Sequence, residues 1–237
     1  MKKFFRRLFL LILVSVLLVA GGLLKQGYDR YQKEIEHYPI ERSVAYYTER
    51  ADYIPFEEID EDFVHAVISV EDKRFFERKG YDFIALFRAL YANFKAKRLV
   101  EGESTISEQI AKNLYLNGKV IGIEDKMAEI WLMFHLEKVY TKEELFALYA
   151  NMNYYGDGFW GLEQAAEGYF DTSASELTLA EAAMLAGIPN APAIYQLSTG
   201  YESAKKRQEW VLSTMVRNGY ITEAEMEDAS AEIIYEP

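Results

Sequence analysis

Cysteine is absent from the 237 residues of this chain, and proline is scarce, with five residues. The absence of cysteine excludes a disulfide framework and any metal site built on thiolates, although it fits an exported domain as well as one kept reduced. The sequence also has no internal repeat, no low-complexity tract and no proline-rich linker. It has no alternating apolar and polar run long enough to indicate a sheet. These absences predict one compact α-helical domain.

Acidic residues outnumber basic ones: the chain has 26 Lys and Arg and 38 Asp and Glu, which give a net charge of −12. Such a chain is not expected to bind nucleic acid, since binding to the phosphate backbone needs clustered positive charge. Residues 73–98 are an exception, with eight bases and two acids. That segment could attract a pyrophosphate or an anionic lipid surface, or it could be an ordinary solvated helix face. Charge counting leaves both readings open.

The N-terminus combines four bases with an uncharged apolar run at residues 8–24. Seventeen residues are at the short end of what spans a bilayer, and the preceding positive charge predicts an N-terminus inside and a C-terminus outside. A cleaved signal peptide is the alternative, because small residues occur at 20–22. The uncleaved anchor is favoured because no A-x-A-like site is present. We therefore expect a single-pass protein of the cell membrane with an extracytoplasmic domain.

The expected organisation has four parts. A cytoplasmic basic tail occupies residues 1–7, and the transmembrane anchor occupies 8–24. A juxtamembrane segment at 25–50 is expected to contain a short helix around 26–37. The remaining residues, 51–237, are expected to form the main domain.

Helix boundaries in the main domain are marked by local signals. Thr141, Thr178 and Thr222 are each followed three residues later by glutamate, which is the pattern of a capping box at a helix N-terminus. Gly187 and Gly219 are expected to end helices, because glycine adopts the left-handed conformation that commonly closes a helix.

Five short blocks occur in order along the main domain. Residues 71–80 read EDKRFFERKG, residues 102–109 read GESTISEQ, and residues 126–129 read KMAE. A fourth block spans residues 144–170 and a fifth spans 177–192. Together the blocks resemble the peptidoglycan glycosyltransferases of family 51, which polymerise lipid II. The resemblance covers most of the exported chain.

The resemblance implies both a fold and a reaction. The implied fold is all-α, with a lysozyme-like larger lobe and a smaller, membrane-facing jaw lobe. The apolar residues within 83–94 would supply surface for such a jaw, or they could be core, which their helical spacing alone favours. The implied reaction adds lipid II to a growing glycan chain through β-1,4 bonds and releases undecaprenyl pyrophosphate. About 210 residues follow the anchor, too few for an additional transpeptidase domain, so we expect a monofunctional enzyme. Cell-wall synthesis proteins are further expected partners.

The reaction needs a base for the acceptor hydroxyl and positive charge for the leaving pyrophosphate. The resemblance selects Glu71 as the base and Glu129 as the second catalytic carboxylate. Glu129 lies three residues after Lys126, on the same helix face, where it could hold the lysine or a divalent cation such as Mg²⁺ or Mn²⁺ against the phosphates. The expected substrate- and pyrophosphate-binding residues are Asp72, Arg88, Ser104, Thr105, Gln109, Lys112 and Lys126.

Four positions depart from the family pattern: Arg78 replaces His, Glu103 replaces Gly, Glu108 replaces Gln, and Asp125 replaces Arg. Three of these changes make the expected phosphate site more negative. Arg78 is expected to compensate in part, and a cation bridging the acids could do the same. The alternative to an active enzyme is a catalytically weak or inactive membrane-anchored scaffold. A muralytic glycosidase would also use paired carboxylates, but it would not explain the third block.

Overall fold

The structure is a computed structural model that describes residues 2–78, 104–116 and 118–235. Within those residues every regular element is a helix, and the strand-like pairing is limited to one isolated bridge between Tyr154 and Trp160. The prediction of an all-α fold is therefore confirmed. Residues 83–94, for which both jaw surface and core were open, lie outside the described residues. The lysozyme-like arrangement of two lobes stays a prediction.

The described residues form eleven α-helices and two short 3-10 turns. The turns lie at Phe56–Glu58 and Ile188–Asn190. The helices are α1 (Lys2–His37), α2 (Ile40–Thr48), α3 (Glu61–Val70), α4 (Ile106–Tyr115), α5 (Ile123–Val139), α6 (Lys142–Met152), α7 (Leu162–Phe170), α8 (Leu179–Gly187), α9 (Pro192–Tyr195), α10 (Leu197–Asn218) and α11 (Glu223–Ala231).

Side-chain caps fix where several helices begin. Thr141, Thr178 and Thr222 each form a full capping box with the glutamate three residues later, so all three predicted boxes are confirmed. Replacing such a threonine by alanine typically costs about 1 kcal/mol. The predicted stop at Gly219 is confirmed, because Gly219 closes α10 at a left-handed φ of 82°. Gly187 is the last residue of α8, but it keeps a right-handed helical φ of −79° and the chain continues into the turn at Ile188–Asn190, so the left-handed closure expected there is wrong.

The core includes α8, which packs against α3 and α10. The residues of α8 from 182 to 187 are all buried, and small alanine side chains let the neighbouring helices approach closely. Phe63 of α3 and Phe146 of α6 meet edge to face in the same core, with ring centroids 6.3 Å apart. This packing holds the C-terminal end of α3, where Glu71 follows.

Helix α1 changes character along its length. Its apolar N-terminal part, including residues 8–19, is exposed, and the helix is long and apolar enough to cross a membrane by length and composition. Gly27 and Tyr31 are instead buried, and α1 packs here against α5. The predicted juxtamembrane helix at 26–37 is thus the C-terminal part of one continuous helix.

Residues before position 51 also belong to the packed domain. Ile40 and Val44 of α2 are buried in the core, and α2 contacts α6. Hydrophobic packing therefore begins upstream of the boundary predicted at residue 51. The proposed four-part division of the chain stays a prediction.

Candidate functional site

Glu71 directly follows the last residue of α3. Its backbone N–H donates to the carbonyl oxygen of Val67 at 2.9 Å, so its position is set by the helix. Its half-buried carboxylate accepts a hydrogen bond of 2.5 Å from the side-chain amide of Gln109 in α4. The same amide nitrogen lies 3.4 Å from the carbonyl oxygen of Ser104. The candidate base is therefore oriented by a neutral donor from the second sequence block.

Helix α4 begins with a capping box that was not among the predicted ones. Thr105 Oγ1 accepts from the backbone N–H of Glu108 at 3.3 Å. In return, Glu108 Oε2 accepts from the Thr105 N–H and hydroxyl, both at 2.9 Å. The signal was available, since Thr105 and Glu108 have the same Thr-x-x-Glu spacing as the three predicted boxes. The box gives Glu108 a structural role at the helix start.

Lys126 lies in the first turn of α5, between two carboxylates. Its Nζ is 2.8 Å from Glu108 Oε1 and 3.0 Å from Glu129 Oε2. Burial lowers the pKa of Lys126, but the charges of Glu108 and Glu129 outweigh that effect and leave the pKa raised. The lysine side chain is still 35% exposed, so its cation is held in place while remaining accessible to a ligand.

Glu129 is buried to 1% exposure. Burial raises the pKa of its carboxyl, and Lys126 opposes that rise only in part. The contact with Lys126 is an ion pair by distance, yet within the described residues neither carboxylate oxygen has a hydrogen-bond donor in good geometry. A buried acid with a perturbed pKa and incomplete hydrogen bonding is typical of a functional site.

Site residues of the first and third sequence blocks contact consecutive residues of α4. Glu108 contacts Lys126 of the third block, and Gln109 contacts Glu71 of the first block. Lys112 follows one turn after Glu108, and its charge also acts to lower the pKa of Glu129. The packing of α4 against α5 therefore brings the candidate base and the candidate phosphate-binding cation to one short segment.

A second polar network lies beside this site and is more deeply buried. The Arg78 guanidinium contacts Asp72 at 2.5 Å and Glu137 of α5 at 2.9 Å, and its side chain is 8% exposed. Glu137 also accepts from Ser107 at 2.5 Å and from Lys142 at 2.7 Å. Burial opposes the charge on Glu137, but Lys142, Ser107 and Arg78 lower its pKa overall. The network ties the segment after α3 to α4, α5 and α6.

This network corrects one expectation. Arg78 was expected to supply positive charge to the phosphate site, but its charge is instead matched by the buried carboxylates of Asp72 and Glu137. Asp72 is itself buried in that ion pair. Its assignment to substrate binding stays a prediction.

Tyr149 of α6 is a neighbour of Glu71 that the sequence did not single out as a site residue. Its side chain is buried, and burial followed by the charge of Glu71 raises its pKa well above the usual value for a phenol. The residue is therefore a neutral phenol beside the candidate base. In the sequence it is one apolar position of a helical repeat, so no local signal separates it from other core aromatics.

The remaining predicted residues fall into two groups. Arg88 and Glu103 lie outside the described residues. Asp125 is described, but its carboxylate accepts from the backbone N–H of Ile121 at 3.2 Å and lies 3.9 Å from Arg30 Nε. In the described part of the chain no group of three or more His, Asp and Glu could hold a metal ion. The cation expected to bridge Glu103, Glu108 and Asp125 stays a prediction.

One family model and several known proteins match most of this chain. A family model described as transglycosylase matches residues 38–216. A protein of Cupriavidus necator named as a transglycosylase is 38% identical over 181 residues, which are 76% of this chain and 78% of that protein.

Longer proteins also match. Penicillin-binding protein 1A of Aquifex aeolicus is 39% identical over 75% of this chain, and that of Rickettsia prowazekii is 33% identical over 85%. The chain spans about a quarter of the length of these relatives, 24% and 25% respectively. Among solved structures, a crystal structure of penicillin-binding protein 1A from Haemophilus influenzae aligns with 41% of this chain and 15% of that one, at 35% identity and a TM-score of 0.39.

Proposed function

Since the chain belongs to the transglycosylase family, we propose that it polymerises lipid II into β-1,4 glycan strands and releases undecaprenyl pyrophosphate. The observation that carries the proposal is the convergence on α4. Its consecutive residues Glu108 and Gln109 contact Lys126 and Glu71, so the start of one helix contacts both a base and a cation. Glycosyl transfer from a pyrophosphate donor needs both groups at the same place.

Glu71 is proposed to be the general base. The 4-hydroxyl of the acceptor sugar attacks the anomeric carbon of the donor, and the Glu71 carboxylate takes the hydroxyl proton. The bond from that carbon to the phosphate oxygen breaks with its electron pair, and the configuration at the carbon inverts. General-base assistance of this kind contributes roughly 10²–10⁴-fold. The Gln109 amide, at 2.5 Å, orients the carboxylate for this step.

Lys126 is proposed to stabilise the leaving pyrophosphate. Negative charge grows on the phosphate oxygens in the transition state, and a fixed cation there lowers the barrier. Glu129 holds Lys126 in position from the next turn of α5, 3.0 Å away. Lys112 extends the positive charge along α4, and Arg88 is proposed to do so from outside the described residues.

The neutral donors at the start of α4 have separable roles. The hydroxyl of Thr105 is already engaged with Glu108, so its proposed part is to hold the helix start. Ser104 is half-buried next to it and is proposed to contact substrate oxygens. Gln109 is proposed to position both the base and the helix start, because its side-chain amide contacts the Glu71 carboxylate and the Ser104 carbonyl.

The membrane is the proposed location of the reaction. Helix α1 presents exposed apolar side chains along its first part, as a membrane anchor requires, and the basic residues before them favour an extracytoplasmic domain. A lipid-linked donor and a growing glycan would then bind the enzyme at the extracytoplasmic surface of the cell membrane. Cell-wall synthesis proteins are the proposed protein partners.

The test is a polymerisation assay with purified full-length protein and lipid II. Wild type should form glycan, and Glu71→Gln should form none while keeping the wild-type Tm, because the amide cannot accept the proton. Glu202→Gln, at an exposed position of α10, is the matched control and should keep wild-type activity. Product from Glu71→Gln at the wild-type rate would remove Glu71 as the base. No product from any form would favour the scaffold alternative, and release of fragments from preformed murein would favour a glycosidase.

A further inference from the structure

Lys126 is in direct contact with two acids, Glu108 and Glu129, while the charge of Lys112 also reaches Glu129 from α4. The side chains of Glu108 and Glu129 are 5% and 1% exposed, whereas that of Lys126 is 35% exposed. A phosphate that approaches Lys126 from solvent therefore meets a cation whose inner side already faces two carboxylates. The two carboxylates, 2.8 Å and 3.0 Å from the lysine Nζ, oppose the binding of an anion to Lys126.

The two acids hold Lys126 in different ways. Glu129 contacts it through the ion pair and has no hydrogen-bond donor of good geometry among the described residues. Glu108 is fixed independently, because its Oε2 accepts both donors of Thr105 in the capping box. That arrangement leaves Oε1 directed at Lys126, with Nζ 2.8 Å away. The helix cap thus locks the Glu108 carboxylate in the position that pairs with the lysine.

We propose that Glu108 competes with the phosphates of the substrate for Lys126 and thereby sets the affinity of the site for pyrophosphate. This inference rests on the proposed function for the identity of the physiological ligand. Glu108 acts through Lys126 and is a positioning residue. This competition weakens the binding of the pyrophosphate group, both in the donor substrate and in the released product.

Glu108→Gln separates the charge of this residue from its cap. Glutamine also serves at the third position of a capping box, so the start of α4 is retained while the negative charge is lost. Lys126 keeps its ion pair with Glu129. The variant should therefore fold normally and present a cation with one competing carboxylate instead of two.

The chain offers a matched control in Glu181→Gln. Glu181 occupies the same capping-box position in α8, where it accepts from the Thr178 N–H at 2.9 Å. In the described part of the chain it forms no ion pair with a base. Any effect of changing a capping glutamate to glutamine as such should appear equally in this variant.

The first experiment titrates inorganic pyrophosphate into the full-length protein by calorimetry, in chelator and without donor substrate. Glu108→Gln should bind pyrophosphate about fivefold more tightly than wild type, which is about 1 kcal/mol at 1.4 kcal/mol per tenfold. Glu181→Gln should have the wild-type Kd. An unchanged or weaker affinity in Glu108→Gln, or equal tightening in Glu181→Gln, would overturn the proposal.

The second experiment asks whether the effect passes through Lys126. In a Lys126→Met background, Glu108→Gln should no longer tighten pyrophosphate binding, and a full fivefold gain there would contradict the mechanism. With lipid II, Glu108→Gln should lower KM without raising kcat. If the wild-type protein does not polymerise lipid II, the proposed function is refuted. The titration still decides the role of Glu108, because pyrophosphate binding needs no turnover.

Discussion

Gly27 of α1 and Met127 of α5 lie so close that a Cβ atom on Gly27 would overlap Met127 Cβ and lie 2.8 Å from the Met127 carbonyl carbon. Met127 is flanked along α5 by the site residues Lys126 and Glu129. Further contacts surround this point, since Tyr31 Oη lies 2.8 Å from His135 Nδ1. The N-terminal helix is therefore packed directly on the helix that bears the candidate phosphate site.

Gly27→Ala should destabilise the protein, although alanine normally favours a helix over glycine by about 1 kcal/mol. The added methyl would force α1 and α5 apart, and overpacking of this kind typically costs about 1–3 kcal/mol. Polymerisation should fall as well, because the shift acts on the turn that carries Lys126. Gly22→Ala is the control, since nothing lies within 4 Å of a Cβ there. Equal Tm values for the two variants in the same detergent would show that the close contact does not constrain the packing.

Removal of the exposed apolar part of α1 should separate anchoring from packing. A chain that begins at Leu23 keeps Gly27 and Tyr31 against α5, so its folded domain should be retained. Polymerisation of long-chain lipid II should then fall more than that of a short-chain, detergent-soluble analogue, because the anchor mainly raises encounter with membrane-bound substrate. Rates measured on both substrates provide the check. Equal losses on the two would indicate that the removed segment supports the fold itself.

Arg78→Met should be strongly destabilising. It would leave Asp72 and Glu137 buried without their shared cation, and breaking a buried ion pair typically costs about 3–5 kcal/mol. We expect Tm to fall on the order of 10 °C at pH 7. Because Arg78 contributes to the lowered pKa of Glu137, this stabilisation should be present at neutral pH and be lost as pH falls through the folded-state pKa.

Arg217→Met is the control for the Arg78 experiment. Arg217 is near the end of α10, and its guanidinium donates to the Thr214 hydroxyl at 2.6 Å. Its replacement should change Tm by much less, since no buried carboxylate loses a partner in the described part of the chain. A fall in Tm for Arg78→Met that is no larger than this would contradict a structural role for the network.

Glu129→Gln should remove activity yet raise stability at neutral pH. Burial raises the pKa of Glu129 above its unfolded value, so the folded state disfavours the ionised form, and the resulting destabilisation appears as pH rises through the folded pKa. The neutral amide avoids this cost, at about 1.4 kcal/mol per unit of pKa separation. Thermal unfolding from pH 4 to pH 8 should show that the Tm of the variant rises relative to the Tm of wild type as pH increases. A constant difference, like that expected for exposed Glu202→Gln, would argue that Glu129 does not titrate abnormally.

Local sequence rules predicted the elements that depend on neighbouring residues. The capping boxes at Thr141, Thr178 and Thr222 involve atoms within one turn, so spacing alone sufficed. The apolar helix at the N-terminus followed in the same way from a continuous run of side chains. The family was also readable, because its blocks are short and contiguous.

Tertiary packing decided which charges meet. Glu108 lies 18 residues from Lys126, and Arg78 lies 59 residues from Glu137, so their pairing depends on how α4 and the segment after α3 pack on α5. From the sequence, Glu108 was an added negative charge and Arg78 a compensating positive one. The structure uses Glu108 both as a cap and as the partner of Lys126, and it buries Arg78 between two acids. A charge acts through the groups that packing brings within a few ångströms, and spacing along the chain does not determine that distance across helices.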